Sequence, residues 1–457
     1  MAILLKRGTI VTMNARREVL RDHDILLEDD RIARIAPSGL LEKRDGVEEL
    51  SCEDKIIIPG LVSAHSHLSG IFQRGLWNET SFESWSAKTF ALDSLANFSS
   101  EEIYLLHCAA CIEFIRHGVT TVLDMFSAYP SGALDKVEAA GKALLDTGMR
   151  GIMAYSFRDQ SPDNQGVTLT STSAEDIMVT ARACAERVTG LSSRLAFMLA
   201  PSAPQRCSDR LLVLCGKLAE ELGVGVHTHL AETKRHAETG RAIYGEPIVK
   251  HLERIGFLNS GLSVAHSIWL DDEEISLLRK YDAKVVHNPA SNMRLGSGTA
   301  RVKEMIRSGL CVGLGADSAN AGTVYSIFEQ MKLAVLLPRC VWRPENWVLP
   351  DEAFEMATLG GARALLLDQA IGSIEEGKKA DLVILDPPLS LAPMDSLVSQ
   401  LVFAENGDSV ETVFVDGKPL MLERRIQMID EEDVLAQASS LKTRICETQA
   451  EVLARLY

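Results

Sequence analysis

Several features that would redirect a reading of this chain are missing from it. There is no basic stretch: 47 lysines and arginines face 63 aspartates and glutamates, giving a formal net charge of −16. That balance excludes the electrostatic footprint of a nucleic-acid-binding surface. The acids are scattered rather than gathered in a tail, so they read as solvated helix faces. No apolar run approaches the ~18 residues a membrane span needs. The opening MAILLKRGTIVTMN lacks the h-region and cleavage site of a signal peptide. The expected compartment is the cytoplasm, with neither membrane nor nucleic acid as a partner. A disulfide framework is missing too. The nine cysteines are odd in number and show no paired spacing. Cys108 and Cys111 share a C-x-x-C spacing, but they lie in an apolar helical stretch with no second pair in reach. That predicts helix packing instead of redox or zinc chemistry.

What is present is an ordinary globular composition, 46% hydrophobic and 24% charged over 457 residues, enough for a sizeable core. The first sixty residues read as strands and turns, with β-branched runs from Ile3 to Met13 and from Ile25 to Ile35. The acidic turn Glu28-Asp29-Asp30 interrupts the second run. Pro59-Gly60 is a breaker pair that marks a change of domain. Beyond it, eight strand-like runs alternate with amphipathic helical stretches such as Glu101–His117 and Asp209–Leu222. The runs are Leu61–Ala64, Thr120–Leu123, Gly151–Tyr155, Ala196–Ala200, Gly225–His229, Leu262–His266, Lys284–His287 and Cys311–Gly315. Eight strand–helix units predict an α/β protein with a closed (β/α)₈ TIM barrel. After residue 366 strands return: a run ending at Asp381-Leu-Val-Ile-Leu, then Val410–Val415 with the hairpin signal Asp416-Gly417. The expected organisation is a composite β-sandwich from residues 1–60 and 367–430, a barrel over 61–366, and a C-terminal helix over 431–457.

Barrel enzymes carry their active groups where the strands end, and here those ends are polar. The first run leads into His65-Ser66-His67 and the fifth ends at His227-Thr228-His229, with Glu232 just beyond. The sixth ends at His266, the seventh at His287-Asn288, and the eighth leads to Asp317. Residues two apart in a strand point the same way, so His65 and His67 can face the barrel mouth together. Imidazoles and a carboxylate from separate strands make a donor set suited to Zn²⁺, Fe²⁺ or Mn²⁺.

Pro59-Gly60-Leu61-Val62-Ser63-Ala64-His65-Ser66-His67 resembles the opening metal motif of the amidohydrolase superfamily. More narrowly, the chain is similar to its aminohydrolase and chlorohydrolase branch of nucleoside and base deaminases and triazine hydrolases. His227-Thr-His229-Leu-Ala-Glu232-Thr233, Ala265-His266, Val286-His287-Asn288-Pro289-Ala-Ser291-Asn292, Gly313-Leu-Gly315-Ala-Asp317 and Gly377-Lys-Lys-Ala-Asp381 carry the resemblance along essentially the whole chain. It implies that His65, His67, His229 and Asp317 hold one divalent metal, zinc foremost with iron or manganese permitted. His227 is then structural. Two-metal relatives bridge their ions with a lysine on strand four, and Arg194-Leu-Ala-Phe-Met-Leu-Ala-Pro201-Ser202 has none.

By the same resemblance, the metal activates water for attack on an sp² carbon bearing nitrogen. Asp317 takes the water's proton, His266 orients the attacking oxygen, and Glu232 protonates the substrate nitrogen and the leaving group. Gln73, Trp77, Trp85, Ser202, His287 and Asn288 are the candidate pocket residues, and Asp124 is a further polar candidate. Two departures weaken the nucleoside reading and favour a smaller or more apolar substrate. The ribose-binding glutamate of the methylthioadenosine and S-adenosylhomocysteine deaminases falls near Ser94, and their strand-four histidine is replaced by Ser202. The expected reaction releases ammonia or an amine. Opening of a urea, carbamate or amide, displacement of ring chloride, and a non-catalytic scaffold are the alternatives. A homodimer is expected by analogy alone.

Overall fold

The computed structural model describes residues 2–41, 45–77, 81–128, 132–163, 166–387, 391 and 396–456. Both chain ends build one mixed sheet around a small apolar core. Its central strand, Ala2–Val11, runs antiparallel to Val19–Glu28, which pairs in turn with Arg31–Pro37. The same strand is parallel to Val47–Ser51 and to Ile56–Pro59. Ile56–Pro59 then pairs with Leu382–Leu385 from the far end of the chain, and the sheet continues through Val410–Val415, Lys418–Leu422 and Arg425–Ile426. Alternating residues such as Ile3, Leu5, Ile25, Leu27, Ile57, Leu382, Ile384 and Phe414 form its core. The run before Leu382 is not extended: Gly372 and Gly377 both take positive φ there, and the strand covers four residues only.

All eight barrel strands stand where the alternation of apolar runs predicts them. They are Leu61–His67, Val119–Phe126, Arg150–Phe157, Leu195–Pro201, Gly225–Leu230, Leu262–His266, Lys284–His287 and Val312–Leu314. Each pairs in parallel with the next. Closure is made by a short continuation of the eighth strand. Asp317–Ser318 pairs with Ser66 and His67 of the first. Gly315 permits that approach, since a Cβ there would lie 2.3 Å from Asn288 Oδ1 and 2.7 Å from the His65 carbonyl. The predicted helices are present as Ser100–Arg116 and Asp209–Leu222, the first closed by a capping box between Ser99 and Glu102. Two insertions were not anticipated: a helix Phe82–Ala96 after the first strand, and a hairpin Gln160–Asp163/Gly166–Leu169 after the third.

The sheet is fastened to the barrel by Arg150, at the start of the third strand. Its guanidinium grips Asp381 with two buried bonds of 2.8 and 3.0 Å and reaches the part-buried Asp416 at 2.5 Å. The C-terminal helix Glu431–Leu456 lies on the outside of the barrel. Val434 packs on Cys108, Ala109 and Ile112, and Arg444 donates to the Ala96 carbonyl at 2.7 Å. Cys108 and Cys111 are both buried free thiols, in keeping with a packing role.

Candidate metal centre and its cavity

At the C-terminal mouth of the barrel, strand ends bring four imidazoles and a carboxylate to one point. His65 and His67, two apart on the first strand, both face inward as a strand's alternation requires. His67 Nε2 lies 3.3 Å from His229 Nε2. Asp317 Oδ1 lies 3.7 Å from His65 Nε2 and 3.8 Å from His67 Nε2, and its Oδ2 lies 3.8 Å from His266 Nε2. The registration of Asp317 against Ser66 is what sets the carboxylate beside both histidines. Asp317 and His266 hold φ values of +59° and +69°, a costly left-handed backbone for non-glycine residues that surrounding structure must enforce.

The donor set fits a metal on the chemistry of its nitrogens. His67 Nδ1 donates to the Met125 carbonyl at 2.8 Å and His229 Nδ1 to the Ser202 carbonyl at 2.6 Å. A carbonyl can only accept, so each Nδ1 carries the hydrogen and each Nε2 presents a lone pair to the shared point. His65 Nδ1 is taken by His227 Nε2 at 2.9 Å, and His227 Nδ1 by the Ser263 hydroxyl at 2.7 Å. This leaves His65 Nε2 buried with no hydrogen-bond partner, an arrangement a protein interior rarely leaves unsatisfied. Burial foremost, then the neighbouring rings, holds the His65 and His229 imidazoles well below the usual histidine range, so both are neutral and ready to ligate. The 3.3 Å between His67 and His229 also matches two nitrogens about 2.0–2.1 Å from one tetrahedral zinc.

Around this set lies a cavity whose wall includes Gln73, Trp85, Ser202, Glu232 and Asp317 from the sequence reading. Glu232 Oε1 sits 3.8 Å from His266 Nε2. Burial pushes its carboxyl up to about 7, opposed by the field of His266 and assisted by that of Asp317. His266 is aimed by Asn292, whose Oδ1 meets Nδ1 at 2.8 Å. Trp85 donates to the Asn320 carbonyl at 3.2 Å, and Gln73 bridges Asn320 and Asp93 at 2.6 and 2.5 Å. Trp77, His287 and Asn288 are not brought to the cavity wall. Trp77 lies under Lys88. His287 is buried with its imidazole lowered to about 3 by that burial, and Asn288 bonds the Val286 carbonyl. Asp124 is also structural, accepting from the Leu68 amide at 2.9 Å and facing His107 Nε2 at 2.9 Å. The Ser94 side chain lies outside the described residues.

Of one whole wall, sequence reasoning named Trp85 alone. Phe82, Trp85, Ser86, Thr89, Phe90 and Asp93 line the cavity and recur at three- and four-residue spacing, one face of the helix Phe82–Ala96. Once a helix is assigned there, the spacing alone would have found them. Burial raises the Asp93 carboxyl to about 7, against the bond from Gln73. Arg206, His236 and Asn320 complete the wall.

Comparison with known proteins agrees with this geometry. The model of the amidohydrolase family matches residues 56–420. A 5′-deoxyadenosine deaminase of Methanobrevibacter smithii is 31% identical over 440 residues, covering 95% of this chain and 96% of the relative. A 5-methylthioadenosine/S-adenosylhomocysteine deaminase of Halalkalibacterium halodurans is 32% identical over 455 residues, covering 98% and 99%. Among solved structures, an adenosine deaminase from Xanthomonas campestris with bound zinc superposes with a TM-score of 0.89 at 26% identity, over 97% of this chain and 98% of that one. An atrazine chlorohydrolase from Arthrobacter aurescens, complexed with zinc, gives 0.90 at 23% identity over 96% and 100%, a likeness of fold alone.

Proposed function

The chain belongs to the amidohydrolase family and is a metal-dependent hydrolase of C–N bonds other than peptide bonds; from that premise we propose that it deaminates an amino-substituted heterocycle, exchanging a ring amine for oxygen with release of ammonia. The observation that carries this reading is the buried carboxyl of Glu232, raised to about 7 and set 3.8 Å from His266 at the edge of the histidine cluster. Replacing a ring amine requires a proton on the ring nitrogen and another on the departing amine. A carboxyl that titrates near neutrality can supply both.

We assign His65, His67, His229 and Asp317 as the residues that would hold the metal, zinc before iron or manganese. Such an ion makes a hydroxide nucleophile available at neutral pH. Glu232 gives its proton to the ring nitrogen. Asp317 accepts the proton from the attacking water through the carboxylate oxygen facing His266, and His266, fixed by Asn292, orients that water. Glu232 then takes the hydroxyl proton of the addition product and passes it to the amine as the C–N bond breaks, and the proton held by Asp317 restores Glu232, so water and aminated ring yield ring carbonyl and ammonia. Gln73, Trp85 and Ser202 shape the cavity, while His287, Asn288 and Trp77 act from outside its wall. The purine-directed names of the relatives support an adenine-type ring. We also propose residues 1–60 with 367–430 as one unit and 61–366 as the other, acting in the cytoplasm as a homodimer.

The test is metal content per chain, followed by product analysis of the metal-replete protein on aminated purines and pyrimidines, triazines and substituted ureas. About one zinc per chain and ammonia from a ring amine would support the proposal. An alkylamine or aniline from a urea, or chloride from a triazine, would replace it with the corresponding hydrolysis.

A further inference from the structure

The helix that walls the cavity is itself backed by the end of the chain. Helix Phe82–Ala96 brings Phe82, Trp85 and Asp93 to the cavity, and the C-terminal helix Glu431–Leu456 packs directly on it. Ile445 and Val452 of the C-terminal helix are buried, in one apolar cluster with Leu92 and Ala96 of the wall helix. Two arginine–glutamate pairs lay the C-terminal helix antiparallel to helix Ser100–Arg116. Arg116, at the end of that helix, meets Glu431 at 2.6 Å, and Arg444 meets Glu102 near its start. The pairs stand about 20 Å apart measured along either helix, so the two registers match. Beyond Arg444 the C-terminal helix runs on past the start of Ser100–Arg116.

Arg444 stands where the three helices meet. Its guanidinium donates to the carbonyl of Ala96, the last residue of the wall helix, at 2.7 Å. It also pairs with Glu102 and lies 5.1 Å from the Phe98 ring centre. Between Ala96 and Phe98 the chain bends at Asn97, whose φ of +41° is left-handed. One side chain thus grips the carbonyl before the bend and the ring after it. Glu102 is fixed in turn, since its other oxygen accepts from the Ser99 amide in the capping box.

We propose that Arg444 is a positioning residue for substrate binding: through Ala96 and the bend at Asn97 it sets the wall helix against the cavity, so that the C-terminal helix governs how tightly substrate is held without touching it. The inference rests on this cavity being the substrate site, and not on which bond is broken there. The last carbonyls of a helix have no intrahelical partner and gain from a cation, which Arg444 supplies. On the cavity side the wall helix is held by Trp85 on the Asn320 carbonyl and by Gln73 on Asp93. Releasing its end lets the helix pivot about Asn97 and carries Trp85 and Asp93 away from the metal-binding residues. Those residues stand on barrel strands and stay where they are. The signature is a loss of binding with the chemical step preserved.

The experiment combines amide hydrogen exchange with steady-state kinetics on the metal-replete protein, using adenosine as the probe. In Arg444→Met, exchange over the wall helix should quicken about tenfold while strand Val119–Phe126 keeps wild-type rates. KM for adenosine should rise about fivefold with kcat held within about twofold. Arg444→Lys, which keeps the cation and a donor, should recover much of both changes. Val452→Ala leaves Arg444 in place and thins the packing behind the wall. It covers the case in which the first variant fails to fold, and should move both readouts the same way by about twofold. Unchanged exchange over the wall helix, exchange that quickens evenly through the barrel, or a fall in kcat at constant KM would overturn the inference. No ammonia from adenosine with the wild-type protein would count against the adenine-type reading alone, and the exchange rates would then decide this inference by themselves.

Discussion

The floor of the cavity and its helical wall are built on different principles. On the floor, every functional group sits at a strand end and is held from behind by the sheet or its neighbours: His67 by the Met125 carbonyl, His229 by Ser202, His65 by His227, His266 by Asn292. The His67 carbonyl is itself fixed by the Tyr325 hydroxyl at 2.8 Å. The wall is chiefly one helix inserted after the first strand, and its polar groups bond to residues outside it: Asp93 accepts from Gln73, and Trp85 donates to the Asn320 carbonyl. A barrel can keep its floor and exchange its wall, which is how one scaffold serves several chemistries. The contrast teaches that reaction type resides in the floor and substrate choice in the wall.

The largest expected effect is on the floor. His65→Ala should lose the bound metal and bring activity to background, about 10⁴-fold or more below wild type, with metal analysis confirming the cause. Retention of a full metal complement would break the assignment of that residue. Next, Glu232→Gln should lower kcat by about 10³-fold while leaving metal content intact. Because the carboxyl must be protonated to act, wild-type kcat/KM should fall as pH rises through about 7, and the variant should lack that limb. A wild-type profile that climbs through the same range would assign the proton to another group.

A smaller effect is expected one layer back. His227→Asn should weaken metal affinity by about 10–100-fold, measured by competition with a chelator, with thermal stability of the metal-loaded protein little changed. An unchanged metal affinity would make the His65–His227 bond merely structural. The smallest lies in the wall, where Asp93→Asn should shift KM several-fold with kcat nearly preserved. It should also alter stability against pH. Burial pushes the Asp93 carboxyl up to about 7 in the folded protein, well above the ordinary aspartate range, so the folded state binds its proton more tightly. Its contribution is full below about pH 4 and is lost as pH rises through 7. Denaturation midpoints across that range should decline less in the variant. An equal effect on kcat would erase the distinction between floor and wall.

The strands and the floor were legible because both follow local rules. Apolar runs of strand length alternating with helical stretches determined the barrel, and His65-x-His67 determined two inward imidazoles by alternation alone. Apart from Trp85 the wall was not legible, since the segment Phe82–Ala96 mixes aromatic and polar residues without an apolar stripe to mark it as a helix. His287 and Asn288 end a strand like the other ligands, yet they are buried away from the cavity wall, and nothing local distinguishes them. The sequence by itself therefore determined the architecture, the donor types and their order along the chain. Only the tertiary structure decided which donors meet. Asp317 reaches the histidines because its two-residue strand closes the barrel against Ser66 and His67, and Arg206 shares a cavity with Phe90 because an inserted helix folds over the fourth strand. Those contacts join residues more than a hundred positions apart, where no periodicity reaches.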